Sequence, residues 1–586
     1  MTERLLESFL RHNGDRAAIV NLDGTMWSFD QVLGRALSVA QQLRARGDIA
    51  GRVVLLRTGA DGLFSIADLA VLLAGGVPAV VPDLTSAQLE SVWRVVDPAA
   101  VIDTTGRGAE PLTQTAMRHR TAVHLIDEPG CRPGGTPAQW RAVARRWAGA
   151  RLEQTGAVVF TSGTTGTPRA VALSEAALVR GVRAWTRQWA VPPSRTMSYL
   201  PVSHVAQRIM GHTLMCLHGA TVVVSTPERI TADVAAHRPD TLLGVPQIFS
   251  RLAEASRNDE TGRGLRSALG GVATAVNGGA ALDRGVAAEL RTRTGLRIVG
   301  AYGMTETTAP AFHQSDASRP GLGRPLNIEH RITGDGELQL RGPNLAAGYV
   351  QRWPLLRPVT GRDRWLSTGD LARVTDDGEV QLAGRLASAF KTSRGEVICP
   401  EPVEAHLLAH PLVTGACLLG HGLPRAVALV CAPATAAWPP GHVTALESEL
   451  LAAAETARRH GEIPWSDLHA VRVVRDSWDA LGLVTSTGKP RRQDITTHYH
   501  HLLRPEGARP CPGLNRPSPS FSSTWEGCSS PTASCSPSTP GPRHPVRRPE
   551  NCANAGRSTP RSTPSNAVRS PPPPTSTTCA TCSPST

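Results

Sequence analysis

The chain has 586 residues, 40% of them hydrophobic, and a formal net charge of +13. That length allows more than one domain and a large buried core. No run of 18 apolar residues occurs, which argues against a membrane-spanning helix, and no recognition helix, zinc-finger spacing or aromatic-basic platform points to nucleic acid.

The start, Thr2-Glu3-Arg4 before Leu5, Leu6, Phe9 and Leu10, is amphipathic and short. It lacks the apolar core of a secretion signal, so a cytoplasmic location is expected, with peripheral membrane contact left open. Helical patterns cover Phe29 to Arg46 and Ser86 to Val96. The most apolar stretch, Ile66 to Leu84, is interrupted by Asp68, Gly75, Gly76 and Pro78 and reads as a helix and then a buried strand. Further strand-like runs are Arg52 to Leu56, Ala157 to Phe160, Ala220 to Val224, Thr241 to Val245 and Arg297 to Ala301. Such alternation predicts parallel sheets covered by helices, with ligands at the carboxyl ends of the strands. From Glu329 to Arg385 the pattern changes to hairpins, with Asp335-Gly336 and Asp377-Gly378 as turns between alternating runs. Residues 388 to 504 form a smaller α+β unit. From residue 505 the chain is rich in Pro, Ser, Thr, Arg and Cys and holds almost no aliphatic residues, so disorder is expected over 505–586. Cys579 and Cys582 there form a CxxC with no second pair, which makes a poor metal site. The abrupt change also fits a frame-shifted end of a GC-rich gene.

Arginine carries nearly all the positive charge, because Lys391 and Lys489 are the only lysines. Most of that charge reads as solvated surface, and part of it suits a cleft that attracts anions. Where lysine survives such a bias, a compact ammonium is the feature that arginine does not supply.

One loop stands out. Thr161-Ser162-Gly163-Thr164-Thr165-Gly166-Thr167-Pro168-Arg169 follows directly on a strand. Its glycines let the backbone approach an anion, its hydroxyls and amides donate to phosphate oxygens, and Arg169 adds a positive fork. It lacks the spacing of a Walker loop.

This stretch resembles the phosphate-binding signature of the adenylate-forming superfamily of acyl-CoA synthetases, adenylation domains and luciferases, with Arg169 where lysine is usual. Other segments resemble that family in the same order. In Gly300 to Glu306 the resemblance implies Tyr302 near adenine, Thr305 at the α-phosphate and Glu306 at Mg2+. Gly278, Gly279 and Ala280 resemble the backbone flanking adenine. Asp370, in Ser367-Thr368-Gly369-Asp370, and Arg385 resemble the ribose contacts. Lys391 and Gly395 lie in a stretch resembling the loop that lines the thiol tunnel. Lys489, in Ser486-Thr487-Gly488-Lys489-Pro490, resembles the lysine that bridges carboxylate and α-phosphate. Tyr199 to Arg208, with His204 beside the carboxylate, and Gly244 to Phe249 resemble acyl-pocket segments of long-chain fatty acyl-CoA synthetases. No Asp lies between Tyr199 and Gly211, which argues against an α-amino acid.

The resemblance implies an α/β fold. Its large N-terminal domain, 1–385, has helix-covered sheets and a distorted β-barrel. A small mobile C-terminal domain, 388–504, turns about Ser388, where the family usually has Asp or Lys. The expected function is ATP-dependent activation of a carboxylic acid, most plainly a fatty acid, to acyl-AMP and then to a thioester of coenzyme A. The alternatives are loading of a carrier-protein thiol and a non-catalytic nucleotide-binding relic.

Overall fold

The computed structural model describes residues 4–59, 62–105, 111–126, 134–148, 155–161, 168–259, 264–319, 321–460, 463, 468–484 and 490–503. The expected tail, most of the phosphate-loop residues and Lys489 lie outside them.

Two large sheets organise the N-terminal part. In the first, Ile298–Tyr302, Thr274–Gly278, Thr241–Gly244, Arg195–Ser198, Thr221–Val224 and Ala17–Val20 run parallel in that spatial order, with short antiparallel strands at both edges. In the second, Thr155–Thr161, Val77–Val80, Val53–Arg57, Ala100–Asp103 and Ala122–Leu125 run parallel. Arg169–Ser174, Gly348–Arg352 and Leu355–Arg357 extend that sheet antiparallel. The parallel strands read as unbroken apolar runs because helices cover both faces. Val53, Val54, Leu55 and Leu56 are all fully buried. Helices Phe29–Ala45 and Ser86–Val96 open on capping boxes, Ser28 with Gln31 and Thr85 with Gln88, which satisfy backbone groups at their first turns.

A third sheet is wholly antiparallel: Glu329–Ile332, Glu337–Arg341, Leu366–Val374 and Val380–Arg385. The two Asp-Gly turns fall where the sequence puts them. Beyond it, Gly415–Leu419, Ala426–Cys431 and Leu468–Val474 form a small sheet with helices Pro400–Leu408 and Pro440–Arg459. This part has its own apolar core, which includes Val403, Leu418, Val430, Leu450 and Val471. The amphipathic start is a short helix, Leu5–Phe9. Its apolar side chains belong to the main core, so that face is not free to meet a membrane. Among the described residues, no helix is long and apolar enough to cross one.

His313, on the strand beside Ala301, is buried, and burial together with Arg324 depresses its pKa to about 4. The unfolded chain therefore binds this proton first as pH falls. His313 leaves stability intact above about pH 6.5 and removes about 3 kcal/mol of it between pH 6.5 and 4. Denaturant titrations across that range should show the loss, and His313→Gln should flatten it. An unchanged slope in the variant would refute the assignment.

Candidate functional site

The site gathers at the carboxyl ends of the first sheet. Thr274–Gly278 and Ile298–Tyr302 are neighbours in register, Gly278 facing Ala301. The Gly278-Gly279-Ala280 turn therefore leaves the sheet beside the segment that carries Tyr302. Gly279 has φ +83°, a conformation that disfavours any side chain. Asn277 Nδ2 donates to the Ala280 carbonyl at 2.8 Å and fixes the turn.

Tyr302 joins this edge to the third sheet. Its hydroxyl donates to Asp370 Oδ2 at 2.6 Å, and Arg385 Nε meets Asp370 Oδ1 at 2.7 Å. Residues 370 and 385 also face each other in the antiparallel ladder. Glu337 shapes the approach to Asp370, accepting from the Gly369 amide at 3.0 Å and the Ser367 hydroxyl at 2.9 Å. Burial raises the Asp370 pKa, with Glu401 and Glu337 adding to it and Tyr302 and Arg385 opposing it. Burial and Asp370 likewise raise the Tyr302 phenol, which stays a donor. Each carboxylate oxygen keeps a further lone pair for a hydrogen-bond donor.

Thr305 and Glu306 lie on one tight turn, Thr305–Thr307, just after that strand. Glu306 is buried, and Tyr349 donates its hydroxyl to Oε1 at 2.9 Å. Tyr349 faces Val171 on the strand that begins at Arg169. Burial, then Glu306, raise its phenol to about 12, while Arg169 and Arg357 pull the other way. Arg169 itself pairs in register with Thr161, so these two residues stand at the base of the connection between adjacent antiparallel strands. Ser162, Gly163, Thr164, Thr165 and Gly166 fall outside the described residues.

A single carboxylate suits Mg2+ that arrives with nucleotide phosphates, because magnesium completes its shell from phosphate and water and does not need a protein cage. Glu306, with one oxygen on a phenol, offers such a donor. No cluster of three metal-binding side chains occurs among the described residues.

His204 precedes the short helix Val205–Arg208 and is exposed; the protein on its inner side still desolvates it and lowers its pKa. The helical run continues to His218 through a π turn at Ile209–Thr213, a feature frequent at functional sites. It lines a small cavity with Ser198, Gln207 and His212. Lys391 and Gly395 share the hairpin of Phe390–Lys391 and Val397–Ile398, and Lys391 is exposed. Among the described residues, no hydrogen bond or ion pair joins that hairpin to the Tyr302–Asp370–Arg385 group. The crossover to the C-terminal part is tight. Gly384 has φ +139°, and a Cβ there would lie 2.5 Å from Cys399 Cβ. Ser388 follows in a turn, its amide donating to the Arg385 carbonyl at 3.1 Å.

Tyr349 and Glu337 were not singled out by the sequence. Tyr349 had a signal, a phenol directly after the small-residue run Ala346-Ala347-Gly348 at the head of a strand. Glu337 had none beyond its place after a hairpin turn.

Tyr302, Asp370 and Arg385 thus form one group, and Tyr349 links Glu306 to the strand that begins at Arg169. The chain belongs to the AMP-binding enzyme family, whose model matches residues 6–350. It is 32% identical over 285 residues to a sulfoacetate–CoA ligase of Cupriavidus necator, spanning 45% of this chain and 53% of that one. It is 25% identical to the long-chain-fatty-acid–CoA ligase FadD15 of Mycobacterium bovis, over 78% of this chain and 90% of that one. Its fold matches ATP-bound MatB from Rhodopseudomonas palustris with a TM-score of 0.68 at 21% identity, over 86% of this chain and all of that one.

Asp370→Asn should raise the KM for ATP about tenfold or more, since a hydrogen bond to a charged group contributes about 1.5–3 kcal/mol. Because the Asp370 pKa is raised, ATP affinity should also fall at a higher pH than an ordinary aspartate would give. An unaltered KM in the variant would remove Asp370 from the ribose site.

Proposed function

We propose that the chain activates a carboxylic acid, a fatty acid by its acyl-pocket resemblance, and transfers the acyl group to coenzyme A. The observation that carries this reading is the joining of Tyr302, Asp370 and Arg385 at one strand edge, beside the Glu306–Tyr349 pair and the base of the phosphate loop. In the first half-reaction, a carboxylate oxygen of the acid attacks the α-phosphorus of ATP. The bond from that phosphorus to the bridging oxygen breaks, and pyrophosphate leaves. Asp370 and Arg385 hold the ribose, Tyr302 borders the adenine, and Thr305 and Arg169 face the phosphates. His204 stands by the acid's carboxylate. Magnesium, held by Glu306 and the phosphates, would neutralise charge on the polyphosphate. Lys489 supplies a positioned ammonium where phosphoryl charge builds.

In the second half-reaction, a thiolate attacks the acyl carbon and AMP leaves. The C-terminal part turns about Ser388, withdrawing Lys489 and presenting the Lys391–Gly395 loop, a hinge motion of the usual kind.

The test is ATP–pyrophosphate exchange with a panel of fatty, short polar and aromatic acids, followed by thioester formation with CoA or a carrier protein. Exchange with a fatty acid and a CoA thioester would support the reading. Exchange without a CoA thioester would assign a carrier thiol as acceptor, and no exchange with any acid would leave a nucleotide-binding relic.

A further inference from the structure

We propose that a cavity at the amino ends of the second sheet binds a small organic monoanion, a carboxylate or sulfonate on a short apolar body. The cavity measures about 120 Å³. It lies between the end of helix Phe29–Ala45 and the strands Ala100–Asp103 and Ala122–Leu125. These strands run parallel with Thr155–Thr161, whose carboxyl end opens the connection from Thr161 to Arg169. The cavity is therefore at the other end of the sheet from that connection.

Leu43, Ile49 and Ala100 make its inner wall apolar. His124 lies among them and is 5% exposed. Ala100 faces Ala122 and Ile102 faces His124 in register, so the imidazole projects from the same sheet face as Ala100. Neither ring nitrogen has a hydrogen-bond partner among the described residues, whereas a buried polar group normally has one. Burial, and then Arg46, lower the His124 pKa. At neutral pH the ring is uncharged, with one N–H to donate.

The mouth is charged. Arg52 Nη2 donates to the Asp97 carbonyl at 3.4 Å and stands 3.9 Å from the Asp97 carboxylate. Asp48 accepts from the Ala50 amide at 3.0 Å. The Arg46 guanidinium has no hydrogen bond or ion pair among the described residues. One positive charge is left to be matched, near two carboxylates that disfavour a dianion.

An apolar wall offers water few hydrogen bonds, and replacing poorly held water by an apolar group is favourable. An apolar cavity of about 150 Å³ holds benzene, so a body of about three to five carbons suits this one. The charged end of such a ligand meets Arg46 and accepts from His124.

The test is titration calorimetry of the full chain with butyrate, 1-propanesulfonate, butyramide and inorganic phosphate. Butyrate and propanesulfonate should bind with a Kd of about 1 mM, and butyramide and phosphate at least about tenfold more weakly. Arg46→Gln and His124→Leu should each weaken butyrate about tenfold, the scale of one hydrogen bond to a charged group. Arg46 is exposed, so its variant carries the test if His124→Leu does not fold. Equal binding of butyrate to the parent and to the variants would place the acid elsewhere and overturn the site. Equal binding of butyramide or phosphate would overturn the ligand class. No binding of either organic anion up to about 50 mM would overturn both.

Discussion

Lys489→Ala is expected to slow acyl-AMP formation about 100- to 1,000-fold, the scale of removing one preorganised donor from a developing oxyanion. Thioester formation from supplied acyl-AMP should survive, since in the proposed mechanism the lysine serves only the first half-reaction. Lys489→Arg is the sharper variant. In a chain that uses arginine almost everywhere, a lysine at this position implies that the planar fork fails there. Arginine should therefore restore only part of the lost rate. Near-normal ATP–pyrophosphate exchange in Lys489→Arg would defeat the argument from composition, and near-normal exchange in Lys489→Ala would remove the lysine from the reaction.

The second large effect is on stability. Helix Leu63–Ala74 is buried along its whole length and contains one charge, Asp68. Arg208 meets it with two nitrogens, Nη1 to Oδ1 at 2.7 Å and Nη2 to Oδ2 at 2.9 Å. His212 Nε2 lies 3.0 Å from Oδ2. Arg208, His212 and Cys216 recur at four-residue spacing, so one helical face presents all three. Removing one member of a buried pair strands the other, so Arg208→Met should destabilise the fold by about 3–5 kcal/mol. Denaturant unfolding would measure it. Replacing Asp68, Arg208 and His212 together by apolar residues of similar volume should recover most of the loss, and a loss below about 1 kcal/mol in the single variant would contradict the buried pairing.

The pH dependence of this group is distinct. Burial works to raise the Asp68 pKa, but Arg208 and His212 outweigh it, and the net shift is below 3.8. Its contribution is present above the unfolded value and is lost as pH falls through the folded one. The cost therefore appears below about pH 3.8, whereas that of His313 appears between 6.5 and 4.

Much of this was legible in the sequence. Apolar runs such as Arg52 to Leu56 gave strands within a residue of Val53–Arg57, because both faces of a parallel sheet are dry. The Asp-Gly turns placed the antiparallel hairpins. Tyr302, Asp370 and Arg385, far apart in the chain, were each picked out by local pattern, and the fold brings them together. The rest depended on pairings that local pattern does not encode. Asp68 looked like an interruption of an apolar stretch; that a buried carboxylate demands a cation was a usable rule, but the cation lies 140 residues away. Tyr349 reaches Glu306, 43 positions away, where the Ala346 amide also donates to the Glu306 carbonyl at 2.8 Å. Arg492 and Glu404 are 88 positions apart, and each alone reads as a surface charge on a short helix.

The scarcity of lysine has a chemical consequence for the surface. An acyl-AMP is a mixed anhydride, and any that leaked from the proposed site would acylate primary amines nearby. Protonated guanidinium groups do not take part in that reaction. Beyond its amino terminus the sequence carries two amines, those of Lys489 and of Lys391, which is exposed. The protein therefore offers few primary amines to the reactive intermediate it is proposed to make, and an amine-selective label would report on those two positions with little background.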